Sequence, residues 1–185
     1  MLRIICKPIV LLFVLAACVS EVPTLGPDGK PLPKLYDLGL QSTAEVQFRM
    51  LDAINSLRNS SNNPILVLNP LLNAAAATHA RDMSMQNRPW HFGSDGSSPL
   101  DRVVRAGYKY QLISELISET FETELETLSV WMENPDTRRD LLDKRAKEMG
   151  FSWYQELSGK IWWTLVLGSG PKDDALTEDF ALITD

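Results

Sequence analysis

The 185-residue sequence is poor in the groups that most site chemistry depends on, with two cysteines and two histidines in all. Both cysteines, Cys6 and Cys18, fall within the first 18 residues. Everything after Cys18 is therefore without a thiol. That excludes an internal disulfide, a cysteine-ligated metal and a cysteine nucleophile, so stability must come from packing. His79 and His91 are the only imidazoles. Positive charge is also short: 18 Lys+Arg against 24 Asp+Glu leave a net charge of −6. An acidic surface argues against nucleic acid or anionic lipid as a main partner. The one long apolar run, Ile9 to Ala17, is too short to span a bilayer comfortably. There is no internal repeat and no low-complexity tract. With 44% hydrophobic residues, the length suits one globular domain behind a targeting segment.

That segment is at the N-terminus. Arg3 and Lys7 precede the apolar run, and small residues precede Cys18, as in an export signal. Leu15-Ala16-Ala17-Cys18 resembles the lipobox of bacterial lipoproteins. The resemblance implies a signal peptide over residues 1–17, cleavage before Cys18 and acylation of that cysteine. The alternative is an ordinary secretory signal, and both readings export the chain. Loss of Arg3 and Lys7 would take the charge from −6 to −8. Residues 18–41 form a proline-rich tether with Pro23, Pro27, Pro31 and Pro33. At about 3.1 Å per residue in its polyproline parts it could span roughly 60–70 Å. Acyl chains on Cys18 would supply the membrane contact. Val19 after the lipobox cysteine would favour the outer membrane in a Gram-negative source.

The globular part is expected over residues 42–168. Ser42 with Glu45 reads as a capping box, and Val46, Met50, Leu51, Ile54 and Leu57 recur at helical spacing. After a polar run, Ile65 to Leu68 is a short apolar link. Asn69-Pro70 then starts a second helix to about Gln86, with Leu72, Ala75, Ala76, His79 and Met83 as its buried stripe. Phe121 to Met132 is a third long helix. Asn134-Pro135 caps a shorter one that Gly150 ends. Phe151 to Glu156 and Ile161 to Leu167 are strands joined as a hairpin. Residues 169–185 are an acidic C-terminal tail.

Between these elements lies the most informative stretch, Asn87 to Gly107. It sets Trp90-His91 beside a turn at Ser94-Asp95-Gly96. Ser98, Pro99 and Asp101 then start a short helix with Leu100, Val103 and Val104 as its apolar face, and Gly107 can end it in the left-handed conformation. Tyr108 to Ser118 follows as a strand or extended segment. Alternation there places Glu115 between Ile113 and Ile117. A carboxylate so placed is a site residue, an edge charge facing water, or the partner of an arginine.

In order and spacing, LNAAAATHARDM, WHFGSDGSSPLDRVVRAGY, SELIS, WMENPDTRRDLL and the closing MGFSWYQ and KIWWTLVLG blocks resemble the bacterial branch of the CAP superfamily. That superfamily, also called the SCP domain, is named for cysteine-rich secretory, antigen 5 and pathogenesis-related proteins. The resemblance implies an α+β fold, a three-layer α-β-α sandwich with a small antiparallel sheet. It also implies a cavity where histidines and glutamates converge, able in some members to bind a divalent metal. By position, the family's histidine falls on His91 and its glutamate on Glu115. Thr137 stands where a further histidine is expected, and Glu133 lies near the place of a second glutamate. His91 and Glu115 are thus the catalytic or metal-binding candidates. Two assigned ligands where zinc usually takes three imply at most a weakly bound metal such as zinc. His79 reads as a packed or hydrogen-bonded structural residue.

Three functions remain open at this level. One is an envelope-anchored binding or interaction module with a partly degenerate His/Glu cavity. The second is a metal- or His/Glu-assisted hydrolase of envelope peptide or peptidoglycan, with His91 and Glu115 activating water. No serine stands in a nucleophile-elbow sequence. The third, carried by the family alone, is lipid binding. Trp90, Trp162 and Trp163 are candidates for stacking on a glycan or peptide, although adjacent residues of one strand point to opposite faces.

Overall fold

The structure is a computed structural model that describes residues 36–120 and 122–172. These belong to one compact unit, Leu35–Asp185; a second unit, Met1–Lys34, lies outside the described residues, as do the expected signal peptide, Cys18, most of the expected tether and residues 173–185. No helix among the described residues is long and apolar enough to cross a membrane.

Among the described residues, five α-helices and four strands form a three-layer α-β-α sandwich. In chain order they are α1 (Thr43–Ser60), β1 (Val67–Leu68), α2 (Pro70–Gln86), α3 (Pro99–Arg105), β2 (Leu112–Thr120), α4 (Glu124–Glu133), α5 (Pro135–Leu141), β3 (Glu148–Gln155) and β4 (Ile161–Gly168). The sheet order is β1-β3-β4-β2. β3, β4 and β2 run antiparallel, while β1 pairs with the start of β3 in parallel. That two-residue strand lies in the segment expected to be a plain link, and its partner is about 80 residues away in sequence.

β4 is buried along its whole length, and its alternation divides the core. Ile161, Trp163, Leu165 and Leu167 meet Val46, Met50 and Ile54 of α1 with Leu128 and Trp131 of α4. Val166 meets Leu72, Ala75 and Ala76 of α2 with Val103 of α3. Trp162 and Trp163 point to opposite faces and are both core residues. Phe151 of β3 stacks on Trp163 at 5.3 Å and 7°, a contact worth about 1 kcal/mol beyond its buried area.

Several local expectations meet tertiary competition. Asn69 caps α2 through the N–H groups of Leu71 and Leu72, and Ser98 and Asp101 form a reciprocal box on α3. Ser42 makes no side-chain cap; it and Glu45 are exposed, so solvent can satisfy the first turn of α1. In α3 only Val103 is buried among the apolar residues, and Leu100 and Val104 face outward. α4 is capped by Thr123 and buries Glu124 while Leu125 is exposed. α5 ends at Leu141 rather than near Gly150. The fully buried Arg58 accounts for this: its guanidinium donates to the carbonyls of Pro64, Leu141, Asp143 and Ala146 and shapes a turn there.

The packed domain also extends past both expected boundaries. Leu38 is in the core, and the Tyr36 hydroxyl donates to Glu124, which also accepts from Arg49. At the other end Gly170 is buried and donates its N–H to the Tyr108 hydroxyl.

Gly150 is a strand residue. A Cβ there would stand 2.1 Å from the backbone carbon of Leu72 and 2.3 Å from the nitrogen of Asn73, so α2 lies on bare backbone of β3. The free edge of β3 beyond β1 is closed by side chains: Phe151 N–H donates to Asn73 Oδ1, and Phe151 C=O accepts from Gln47 Nε2. Gly150→Ala should therefore force α2 off the sheet, at a cost of about 3 kcal/mol and roughly 6–12 °C in Tm. A Tm within about 2 °C of wild type would show that the close approach is not a constraint.

Candidate functional site

α2 ends in a left-handed Asn87, and the chain leaves it through Arg88 to Gly93. Asp82, one turn before the end of α2, holds this loop. Its carboxylate accepts from both the N–H and the hydroxyl of Ser94, each at 2.7 Å. Asp95 accepts from Ser97, and Gly96 has φ +79°. Hydrogen bonds from Ser97, then from Arg105, hold the Asp95 carboxyl well below the usual carboxylate range. A rigid turn therefore follows His91.

Glu115 arrives from the sheet. A register shift between Leu112 and Ser114 in the pairing of β2 with β4 is a bulge. Its effect is to put Ile113 on the side of Leu116, against the α1/α4 core. Glu115 faces the α2/α3 layer with its side chain 3% exposed, so the expected sharing of one face by Ile113 and Glu115 does not hold.

Three side chains meet the Glu115 carboxylate. Arg102 of α3, 3% exposed, donates from Nη2 to both oxygens at 2.8 Å. His91 Nδ1 lies 2.9 Å from Oε1. His79 Nε2 lies 3.6 Å from the same oxygen, too far for a hydrogen bond. Arg102 also donates to the backbone carbonyls of Ser97 and His91, so one guanidinium fastens the loop, the helix and the strand together. Because a carboxylate only accepts, His91 uses Nδ1–H as a donor and in its neutral form carries the lone pair on Nε2. Nε2 makes no hydrogen bond among the described residues, and the side chain is 49% exposed.

His79 has a different role. It is fully buried, and Nε2 lies 2.8 Å from the carbonyl of Trp90. A carbonyl accepts, so Nε2 carries the hydrogen and buried Nδ1 is left without a hydrogen-bond partner. Burial, opposed by Glu115, lowers its pKa and keeps the ring neutral.

Glu133 is exposed at the end of α4 and makes no hydrogen bond to His91 or Glu115. Thr137 turns its hydroxyl back to the carbonyls of Trp131 and Asn134. No hydroxyl hydrogen-bonds His91 among the described residues. Trp90 is half-buried, donates to Gln86 and packs under Arg88, with Phe92 5.5 Å away. The residue that sequence reasoning missed is Arg102. The available signal was its place beside Val103 on a short helix, together with the need of an inward carboxylate for a cation.

The lowered pKa of His79 fixes a sign. The folded state resists a proton that the unfolded chain accepts, so stability is full above the ordinary imidazole value and falls as pH drops below about 6.5. Denaturant unfolding at about pH 7.5 and 5.5, on either side of that value, should show wild type losing more stability than His79→Gln, because the carboxylate contribution is common to both. Equal losses would assign His79 no part in acid sensitivity.

The profile of the cysteine-rich secretory protein family (CAP) matches residues 51–167. Among solved structures, the fold is similar to an outer surface protein from Borrelia burgdorferi, at 17% identity and TM-score 0.64 over 69% of this chain and 95% of that one. It is similar to an extracellular SCP-domain protein from Bacillus anthracis, at 20% identity and TM-score 0.60 over 69% of this chain. It is also similar to a cysteine-rich secretory protein from Staphylococcus aureus, at 14% identity and TM-score 0.55 over 70% of this chain. The match spans 44% and 40% of the latter two chains, which are longer. No curated protein matches the sequence. With the family profile covering more than half its length on this three-layer fold, the chain belongs to the CAP (cysteine-rich secretory protein) family.

Proposed function

We propose that this chain is an exported, lipid-anchored envelope protein whose CAP domain binds a partner rather than turning over a substrate. The observation that carries this reading is the engagement of Glu115 by a buried guanidinium and an imidazole. Both of its oxygens accept from Arg102, and Oε1 also accepts from His91. A carboxylate so occupied positions the imidazole but has little capacity left to ligate a cation or take a proton from water. The cluster is a fixed recognition element, presenting the His91 ring from a loop that Asp82 and Arg102 hold still.

A divalent metal such as zinc does not fit these residues as they stand. Among the described residues no group of three or more His, Cys, Asp or Glu could hold one. The guanidinium of Arg102 already occupies the cation's place against Glu115.

The envelope location rests on Leu15-Ala16-Ala17-Cys18, outside the described residues, with Val19 favouring an outer membrane in a Gram-negative source. It has support from two structural relatives, one an outer surface protein and one extracellular. Acylation of Cys18 predicts that the full chain partitions into detergent and that Cys18→Ser does not; equal partitioning would remove the anchor.

A hydrolase is favoured by one observation, the 2.9 Å contact that leaves Nε2 of a half-exposed imidazole free as a base. Purified peptidoglycan separates the two readings. Binding predicts that the full chain co-sediments with peptidoglycan without releasing soluble fragments, and that His91→Ala weakens retention about tenfold, roughly the worth of one hydrogen bond to a charged or well-placed group. Release of fragments that disappears in His91→Ala, with Tm unchanged, would overturn the binding reading in favour of the enzyme.

A further inference from the structure

The two edges of the sheet are treated differently. At the β3 edge Met149 C=O accepts from Asn69 N–H, Phe151 N–H donates to Asn73 Oδ1, and Phe151 C=O accepts from Gln47 Nε2. The odd-numbered residues of β3 therefore aim their backbone groups away from β4, and the even-numbered ones, such as Gly150 opposite Val166, aim theirs toward it. Backbone direction alternates along each strand. The odd-numbered residues of β4 consequently turn to β2, where they are paired with Ser114, Leu116, Ser118 and Thr120. Glu115, Ile117 and Glu119 are left with N–H and C=O directed out of the sheet. Trp131 agrees with this parity, since its indole N–H donates to the Ile117 carbonyl at 3.3 Å.

The other outward groups are open. Among the described residues nothing bonds the outward N–H and C=O of Glu115 and Glu119 or the N–H of Ile117. The Glu115 side chain is 3% exposed, yet the residue as a whole is only partly buried, so what it shows to solvent is main chain. The bulge between Leu112 and Ser114 lies at one end and leaves Ser114 to Thr120 in regular register with β4. Proteins ordinarily shorten, charge or cover an edge of this kind, because it is a template for another strand.

We infer that the β2 edge receives an extended peptide with basic side chains as a fifth strand. Groups on alternate residues recur roughly every 6.8 Å. An extended polypeptide presents donors and acceptors at the same repeat, which neither a glycan nor a lipid does. The net charge of −6 draws a basic peptide and repels a second copy of this chain. His91 is hydrogen-bonded to the Glu115 side chain, so a strand added at Glu115 passes beside the imidazole. The inference rests on the binding reading of this domain and deepens it by naming the chemical class of the partner.

The probe is the peptide acetyl-Thr-Lys-Val-Thr-Val-Lys-Thr-amide, titrated into the full chain carrying Cys18→Ser and followed by amide hydrogen exchange. Saturable binding with Kd below about 1 mM should slow exchange at Glu115, Ile117 and Glu119. N-methylation of two adjacent central residues blocks both edges of the peptide and should abolish binding. Ile117→Pro removes only an outward donor and keeps the ladder, as an edge strand tolerates. Its Tm should stay near wild type while peptide affinity falls at least about tenfold. Replacing the two lysines of the peptide by glutamate should weaken binding at low ionic strength. No binding, equal binding of the N-methylated or the acidic peptide, or protection elsewhere than these three amides overturns the proposal. So does protection in the free chain that disappears on deletion of residues 173–185, which would make the occupant its own tail, or a dimer that Ile117→Pro dissociates. Absent peptide binding with peptidoglycan retention intact would refute the edge alone, whereas fragment release lost in His91→Ala would refute the binding reading.

Discussion

The contact on which the rest of the domain depends is the laying of α2 directly on the backbone of β3 at Gly150. With no Cβ between them, the backbone of Leu72 and Asn73 sets how closely the helix approaches the sheet. Ala75 and Ala76 keep the next turn equally close to the sheet. His79, two turns from Leu72 and on the same face, is thereby carried inward over the sheet, and Asp82 is set where it can hold the loop that follows. The position of His91 is in this sense a consequence of a missing methyl group at another place in the chain.

Two buried arginines divide the remaining work in different ways. Arg58 gives its hydrogen bonds to four backbone carbonyls, so it stitches the end of α1 to the end of α5 and the approach to β3. Arg102 gives its bonds to two carbonyls and a carboxylate. These acceptors offset much of the desolvation cost of each interior charge, although the buried Nε of Arg102 has no hydrogen-bond partner among the described residues. Only Arg102 passes its influence outward, through Glu115 to an imidazole at the surface. That is why the same side chain serves stability in one place and the character of a site in the other.

Much of the architecture could be read in the sequence because it is written in local chemistry. Asn69-Pro70 and Ser98-Pro99 cap helices within three residues of themselves, and the strict alternation of Ile161 to Leu167 assigns each side chain to a layer. His91 and Glu115 were legible through family resemblance, and the structure places them 2.9 Å apart. What was not legible is long-range. Gly150 reads as a helix stop because its neighbour Leu72 is far away in sequence. β1 is too short to show a pattern, and its partner is distant. Arg102 looks like one of several surface arginines until the bulge in β2 turns Glu115 toward it. Arg58, at the end of a helix, looks like an ordinary C-terminal cation until its carbonyl partners are brought to it.

The two-faced burial of β4 sets where this chain can change length. Because odd-numbered residues of that strand serve one core and even-numbered residues the other, gaining or losing a single residue there would exchange Trp162 with Trp163 and send every following side chain into the wrong layer. The hairpin tip just before it, Glu156 to Lys160, carries Leu157 fully in solvent. Insertions and deletions should therefore be confined to that tip, and in lineages of this domain the strand should vary in residue identity but not in residue count.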